Sequence, residues 1–207
     1  ASTDLAFPHG DNEVAIACGL QGKPLANFWM HSEVVMAEGK KVSRGAGNDF
    51  TLRRLLEDGF DGATVRYWLL ATHYRRVLTY SRGELARAAR CVARLNEFVT
   101  RLREVKPGRH NPDLDQALYE VRTGWQHAMD NDINVSRALG RLFAFVRHVN
   151  RLMNHGELDQ DQVQQIRDVV FQANRIIDVV DFEGEERDPQ VERLVAERNK
   201  ARQDKDF

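Results

Sequence analysis

The 207-residue chain has few cysteines, no long apolar run and almost no net charge. Cys18 and Cys91 form no recognisable disulfide framework, which is typical of a reducing cytosol. No apolar stretch approaches the ~20 residues that a membrane-spanning helix needs. The formal net charge of −1 excludes a generally cationic nucleic-acid binder, so any such contact requires a local patch. With 42% hydrophobic and 29% charged residues, the composition predicts a soluble protein of one large or two small domains.

Positive charge is concentrated between His73 and His110, where ten basic residues face three glutamates. The chain from Glu157 onward is acidic by contrast. Such an asymmetry can orient a polyanion through phosphate contacts, which carry no sequence information. The alternative interpretation is that these arginines form the solvated face of one helix and its connections. Under the first interpretation, the candidate RNA-binding residues are Arg75, Arg76, Arg87, Arg90 and Arg94.

From Ser81 onward, apolar residues recur at helical spacing in four successive stripes. A side chain that can cap a helix precedes each stripe: Ser81, Asn111 (followed by Pro112), Asn134 and Asp159. A further, mostly polar helix is predicted to start at Asp188-Pro189. The stripes predict an antiparallel helical bundle whose shared core contains Leu95, Trp125, Leu142, Phe143, Ile166 and Val170.

The first 50 residues have a mixed pattern. Asp11 or Asn12 can cap a helix that ends at Gly22, and Cys18 is predicted to be a small buried residue of that helix. Residues 28–36 are apolar and rich in β-favouring types, which predicts a buried strand. The Gly-rich segment 39–48 predicts an exposed loop without regular structure. Two shorter helices are predicted at residues 51–57 and 63–72.

Four short motifs occur in a fixed order within these 50 residues. They are residues 4–9 (DLAFPH), 12–13 (NE), 29–31 (WMH) and 39–48 (GKKVSRGAGN). In this order they resemble the second half of class I cysteinyl-tRNA synthetases, which read DL-x-FPHHENE, then Trp-Met-His, then a KMSKS loop ending in Gly-Asn. Residues 73–75 (HYR), 129–134 (MDNDIN) and 196–198 (AER) also match that family. The resemblance therefore covers almost the whole chain.

The resemblance implies a mainly α fold, in which the C-terminal remnant of a class I Rossmann-type catalytic domain precedes an antiparallel helical bundle. Residues 1–50 would end the catalytic domain, with a KMSKS-like loop at 38–48. Residues 51–80 would form stem-contact-like helices, and 81–207 a tRNA-contacting bundle. The implied activity is ATP- and Mg²⁺-dependent activation of cysteine and its ligation to tRNA(Cys). A cytoplasmic monomer without membrane contact is expected.

The loop signature is Lys41-Val42-Ser43-Arg44-Gly45, where the family has KMSKS. Lys41 and Arg44 are the candidate catalytic residues, and Lys41, Ser43 and Arg44 are the candidate ATP-binding residues. Activation of an amino acid expels pyrophosphate, so a cationic loop can stabilise the charge that builds in the transition state. Arginine in place of the second lysine keeps the charge but alters its geometry, and glycine removes one hydroxyl. A plain basic surface loop is the alternative.

His9 and Glu13 are the candidate metal ligands. Because they are four residues apart at a helix start, their side chains project from one face. In the family the matching His and Glu bind Zn²⁺ together with two cysteines, and the zinc takes the substrate thiolate. Those cysteines are expected upstream of Ala1, so zinc binding by this chain is expected to be weak or absent. The alternative is that His9 and Glu13 merely cap the helix.

The family also needs a His-x-Gly-His ATP motif, and no such sequence occurs in the 207 residues. The chain is therefore expected to be a fragment of a longer ligase and inactive by itself. The main alternative is a non-catalytic synthetase paralogue that acts as a tRNA- or protein-binding module. A ligase that joins cysteine to an amino sugar is a third possibility, against which the match of residues 111–207 argues.

Overall fold

Helices dominate the computed structural model, which describes residues 2–43, 45 and 47–182. The helix predicted from Asp188 lies outside these residues. A 3₁₀ turn at Thr3–Leu5 and a π-helical turn at Ala6–Gly10 lead into the first helix. The described helices are α1 (Asp11–Gln21), α2 (Leu52–Glu57), α3 (Gly62–Ala71), α4 (Arg82–Glu104), α5 (Leu114–Asp130), α6 (Val135–His155) and α7 (Gln160–Ile177). The strands are β1 (Val35–Ala37), β2 (Lys40–Lys41) and β3 (Leu78–Tyr80).

The three strands form one small sheet in the order β2–β1–β3. β1 and β2 are antiparallel, with Met36 opposite Lys41. β1 and β3 are parallel, with Met36 opposite Thr79. Because β3 leads directly into α4, the sheet connects the first 50 residues to the start of the helical bundle.

The predicted strand 28–36 is wrong over most of its length. Only its last two residues belong to β1, and Ser32 makes an isolated bridge to Ser2. Phe28, Trp29 and Met30 are exposed. A strand requires a neighbour that accepts and donates its backbone hydrogen bonds. Among the described residues no strand lies beside 28–31, so an apolar sequence alone does not produce one there.

The predicted irregular loop 39–48 needs a smaller correction, since its first lysines form β2. The prediction for Cys18 is also wrong, because this side chain is exposed. Within α1 only Ala17 is buried. The helix follows Gly10 without a side-chain cap, so Asp11 and Asn12 lie inside its first turn rather than before it. Periodicity alone did not show which face of so short a helix is covered.

The predicted antiparallel bundle is confirmed as α4–α7. Short connections reverse the chain between α5, α6 and α7. Arg101 near the end of α4 donates to Asn150 (2.7 Å) and Asn154 (2.6 Å) near the end of α6, so α4 and α6 run in the same direction. Leu95, Leu142, Phe143, Ile166 and Val170 are buried as predicted, whereas Trp125 is half-buried and packs against the core. No helix in the described part of the chain has the length and apolar character to cross a bilayer.

Side-chain caps set most of the helix starts in the bundle. Ser81 accepts from the backbone N–H of Glu84, and Asn134 from that of Arg137. Asp159 and Gln162 form a reciprocal capping box, as predicted. α5 differs from the prediction, since it begins at Leu114 rather than at Pro112. The side chain of Asn111 instead accepts from the N–H of Asp113 (2.9 Å), which closes a turn before the helix.

Candidate functional site

The loop that contains Lys41 and Ser43 is closed at its base by Asn48. Oδ1 of Asn48 accepts from the backbone N–H of Ser43 (3.0 Å), and Nδ2 donates to the carbonyl oxygen of Lys41 (3.1 Å). The N–H of Val42 donates to the carbonyl oxygen of Val35 (2.8 Å), which ties the loop to β1. Lys41 and Ser43 are therefore held at a defined edge of the sheet. Arg44 lies outside the described residues.

The side chain of Lys41 forms an ion pair with Asp4 in the first motif. The segment around Asp4 lies beside residue 32, because the N–H of Thr3 donates to the carbonyl oxygen of Ser32 (2.9 Å). The pKa of Asp4 is lowered, first by the hydrogen bond from Lys41 and then by that from Ser2. The motifs at residues 4–9 and 39–48 therefore meet in space. The sequence contained both motifs but no signal of this contact.

His9 and Glu13 lie in successive elements, the π-helical turn and α1, and both are exposed. Among the described residues, no three side chains of His, Cys, Asp or Glu come together as a metal site would require. A catalytic zinc needs at least three protein ligands. The described residues therefore do not fit a complete zinc site.

The candidate RNA-binding arginines fall into two groups. Arg75 pairs with Asp132 (2.7 Å), Arg87 pairs with Glu84 (3.3 Å), and Arg94 lies over the ring of Phe143 (5.3 Å from its centroid). Arg76 and Arg90 form the second group, and both are exposed. Within the described residues their side chains have no hydrogen-bonding or ion-pair partner. The five arginines are therefore not equally available to a ligand.

Asp132, in the turn between α5 and α6, binds the segment that follows α3. Its carboxylate accepts from the hydroxyl of Tyr74 (2.5 Å) and pairs with Arg75. Nε2 of His73 lies 3.1 Å from its carbonyl oxygen. The pKa of Asp132 is lowered, first by the hydrogen bond from Tyr74 and also by the charges of Arg75 and His73.

The backbone on both sides of this contact is constrained. Asp132 and Ile133 have positive φ angles of 59° and 51°, which are uncommon for residues with a side chain. The carbonyl oxygen of Tyr74 accepts from the N–H of Glu33 (2.7 Å), just before β1. Residues 73–75 thus connect the sheet edge to the bundle. The sequence identified residues 73–75 and 129–134 separately, without evidence that they touch.

Two family models match the sequence of this chain. The family model for the catalytic domain of class I (C) tRNA synthetases matches residues 1–90, and that for the DALR domain matches residues 124–178. Residues 1–90 are thus similar to the catalytic domain of class I tRNA synthetases, and residues 124–178 to the DALR domain. Relatives named cysteine–tRNA ligase align with almost the whole chain, which confirms the resemblance that the sequence motifs predicted.

Curated cysteine–tRNA ligases align with almost the whole chain. The ligase of Chlamydia abortus is 34% identical over 207 residues, that of Chlamydia pneumoniae 36% over 208, and that of Shewanella sediminis 35% over 212. Each alignment covers 99% of this chain and 44% of the relative. The chain therefore spans less than half the length of the curated relatives it matches.

Proposed function

We propose that this chain supplies the ATP-contacting loop and the helical domain of a cytoplasmic, monomeric cysteine–tRNA ligase. The ligase would activate cysteine with ATP and Mg²⁺ and transfer it to tRNA(Cys). The observation that carries the proposal is the anchored loop from Lys41 to Asn48, which lies against the Asp4 segment within the part of the chain that matches the catalytic-domain model.

In the activation step, a carboxylate oxygen of cysteine attacks the α-phosphorus of ATP, and the bond to pyrophosphate breaks. Negative charge builds on the departing pyrophosphate. Lys41 and Arg44 would stabilise that charge, with Ser43 as a further phosphate contact. Lys41 would have to exchange the carboxylate of Asp4 for a phosphate oxygen, while Asn48 keeps the base of the loop in place.

His9 and Glu13 are proposed to contribute two ligands to Zn²⁺, which would bind the cysteine thiolate. Because the described residues supply no third ligand beside them, the site would require donors from elsewhere.

The helical bundle is proposed to hold tRNA. Residues 51–80 would contact the stem, and 81–207 would lie along the RNA, with residues 1–50 ending the catalytic domain. Arg76 and Arg90 are free to bind phosphates among the described residues, whereas Arg75, Arg87 and Arg94 would first have to leave their present partners. Binding through phosphates weakens steeply with salt.

Cysteine-dependent ATP–pyrophosphate exchange tests the catalytic proposal. We expect no useful exchange from the 207 residues alone, since they contain no His-x-Gly-His motif. In a protein that joins this chain to such a motif, Lys41→Ala should lower kcat with little change in the KM for cysteine. His9→Ala should instead raise that KM. Lys40→Ala, which changes the neighbouring exposed lysine, is the matched control.

Two outcomes would contradict this proposal. Robust exchange by the 207-residue chain would show that the missing motif is not needed. Absence of exchange in the joined protein, with salt-dependent tRNA binding retained, would favour the alternative of a non-catalytic binding module. The arginine and glycine at positions 44 and 45 of the loop are the feature that favours this alternative.

A further inference from the structure

The chain that follows α3 and the beginning of α6 together enclose a cleft of about 520 Å³. The cleft lies where residues matched by the catalytic-domain model meet those matched by the DALR model. Its polar lining consists of Thr72, His73, Arg76, Asn134, Ser136 and Arg137.

The cleft carries positive charge without a matching acid. Arg76 and Arg137 are both exposed, and neither side chain has a hydrogen-bonding or ion-pair partner among the described residues. No aspartate or glutamate lines the cleft. Asp132, in the adjoining turn, is already engaged by Tyr74 and Arg75. Because both arginines line the same cleft and like charges repel, an anion held there would be favoured by both.

The remaining groups suit a phosphate in particular. A guanidinium presents a planar fork of N–H donors that matches two phosphate oxygens. Ser136 and Thr72 add hydroxyl donors from opposite walls of the cleft. The first turn of the 21-residue α6 contains no acidic residue, so no carboxylate within that turn competes with an anion for the positive end of the helix.

We propose that this cleft binds a backbone phosphate of RNA, with Arg76 and Arg137 as its two cationic contacts. The inference rests on the proposed function and deepens it by adding Arg137, which lies outside the predicted arginine patch. Because both arginines are exposed, water and salt would weaken their attraction for a small free ion. A polynucleotide also places neighbouring phosphates on the bundle, which adds binding energy that a single phosphate lacks.

The test measures binding of a fluorescent RNA hairpin to the 207-residue chain by anisotropy, over a series of salt concentrations. Arg76→Gln/Arg137→Gln should weaken binding about tenfold or more at low salt, because hydrogen bonds between charged groups are among the stronger ones. The slope of log K against log salt should decrease by roughly one. The loss should be similar for hairpins of different sequence, since phosphates carry no sequence information.

Arg103→Gln/Arg147→Gln is the matched control. It removes two exposed arginines without partners among the described residues. Arg103 lies at the C-terminal end of α4, and Arg147 in the second half of α6, away from the first turn that borders the cleft. Circular dichroism should show the same helicity for both double variants. A titration with inorganic phosphate, followed through the Nε–H signals of arginine by NMR, separates RNA from free phosphate as the ligand.

Several results would overturn the inference. Unchanged RNA binding by Arg76→Gln/Arg137→Gln would contradict phosphate binding in the cleft but would not contradict the proposed function. Equal losses in both double variants would show a general charge effect and no site. Saturable phosphate binding at Arg76 and Arg137 with unchanged RNA affinity would assign the cleft to free phosphate. Absence of RNA binding by the unmodified chain would overturn this inference together with the proposed tRNA contact.

Discussion

Nζ of Lys41 donates a hydrogen bond to Oδ2 of Asp4, which lies 37 residues earlier in the chain. Both side chains are substantially exposed, so the pair contributes little to stability. Its importance is positional. It gives the candidate catalytic lysine a defined partner before any phosphate arrives, and it links the loop to the segment that leads to His9.

The first prediction concerns the titration of Asp4. Replacing Lys41 by Gln should raise the pKa of Asp4 toward its ordinary range, because the hydrogen bond from Lys41 is the largest cause of the lowered value. Since a lowered pKa favours the folded state above the ordinary carboxyl range, that contribution is lost as pH falls through the folded pKa. A carboxyl ¹³C NMR titration measures the pKa of Asp4 directly. Lys40→Gln should leave Asp4 unchanged, and an unaltered titration in Lys41→Gln would refute the contact.

The second prediction concerns the link between the sheet edge and the bundle. Asp132→Asn keeps a residue that tolerates a positive φ but removes the charge that Arg75 and His73 face. It should lower the urea midpoint near neutral pH. The difference from the wild type should disappear as pH falls below the lowered pKa of Asp132, because the wild-type carboxyl is then also neutral. Asp130→Asn is the control in the same turn region, and an equal effect there would argue against a specific link.

The third prediction compares two glycines. A Cβ at Gly108 would lie 2.6 Å from the carbonyl carbon of Gly156 and closer still to its oxygen. The N–H of Gly108 donates to Leu158 (2.6 Å), so this backbone is held in place. Gly108→Ala should therefore cost roughly 1–3 kcal/mol or more. Gly140, inside α6, has nothing within 4 Å of such a Cβ, so Gly140→Ala should stabilise by about 0.5–1 kcal/mol. Equal urea midpoints for the two variants would contradict both expectations.

The fourth prediction concerns the bundle core. Leu142 in α6 is 1% exposed and packs within the shared core. Leu142→Ala should destabilise the chain by about 2–5 kcal/mol, since it removes buried apolar surface and leaves a cavity. Leu20 in α1 is 82% exposed, so Leu20→Ala should change stability by less than ~0.5 kcal/mol. Chemical denaturation followed by circular dichroism measures both. A small loss for Leu142→Ala would indicate that α6 is not central to the core.

Most features that depend on a few consecutive residues were predicted well from the sequence, although the predicted caps of α1 and α5 were wrong. Ser81, Asn134 and Asp159 each cap the helix they precede, and the stripes from Leu95 to Val170 face the core. The predicted strand at 28–36 was wrong because a strand does not depend on consecutive residues alone. A strand depends on a neighbour that can be distant in the chain, and local composition does not specify that neighbour.

The sequence by itself determined the four helical stripes, the caps at Ser81, Asn134 and Asp159, and the ordered motifs that resemble those of cysteine–tRNA ligases. These are local patterns, since a helical turn and its cap span only a few residues. The tertiary structure decided which motifs meet: Lys41 with Asp4, and Tyr74 with Asp132, 58 residues apart. It also brought Arg137 and Arg76 to the lining of one cleft. Such contacts depend on how the sheet and helices pack together, and neither partner's local sequence contains that information.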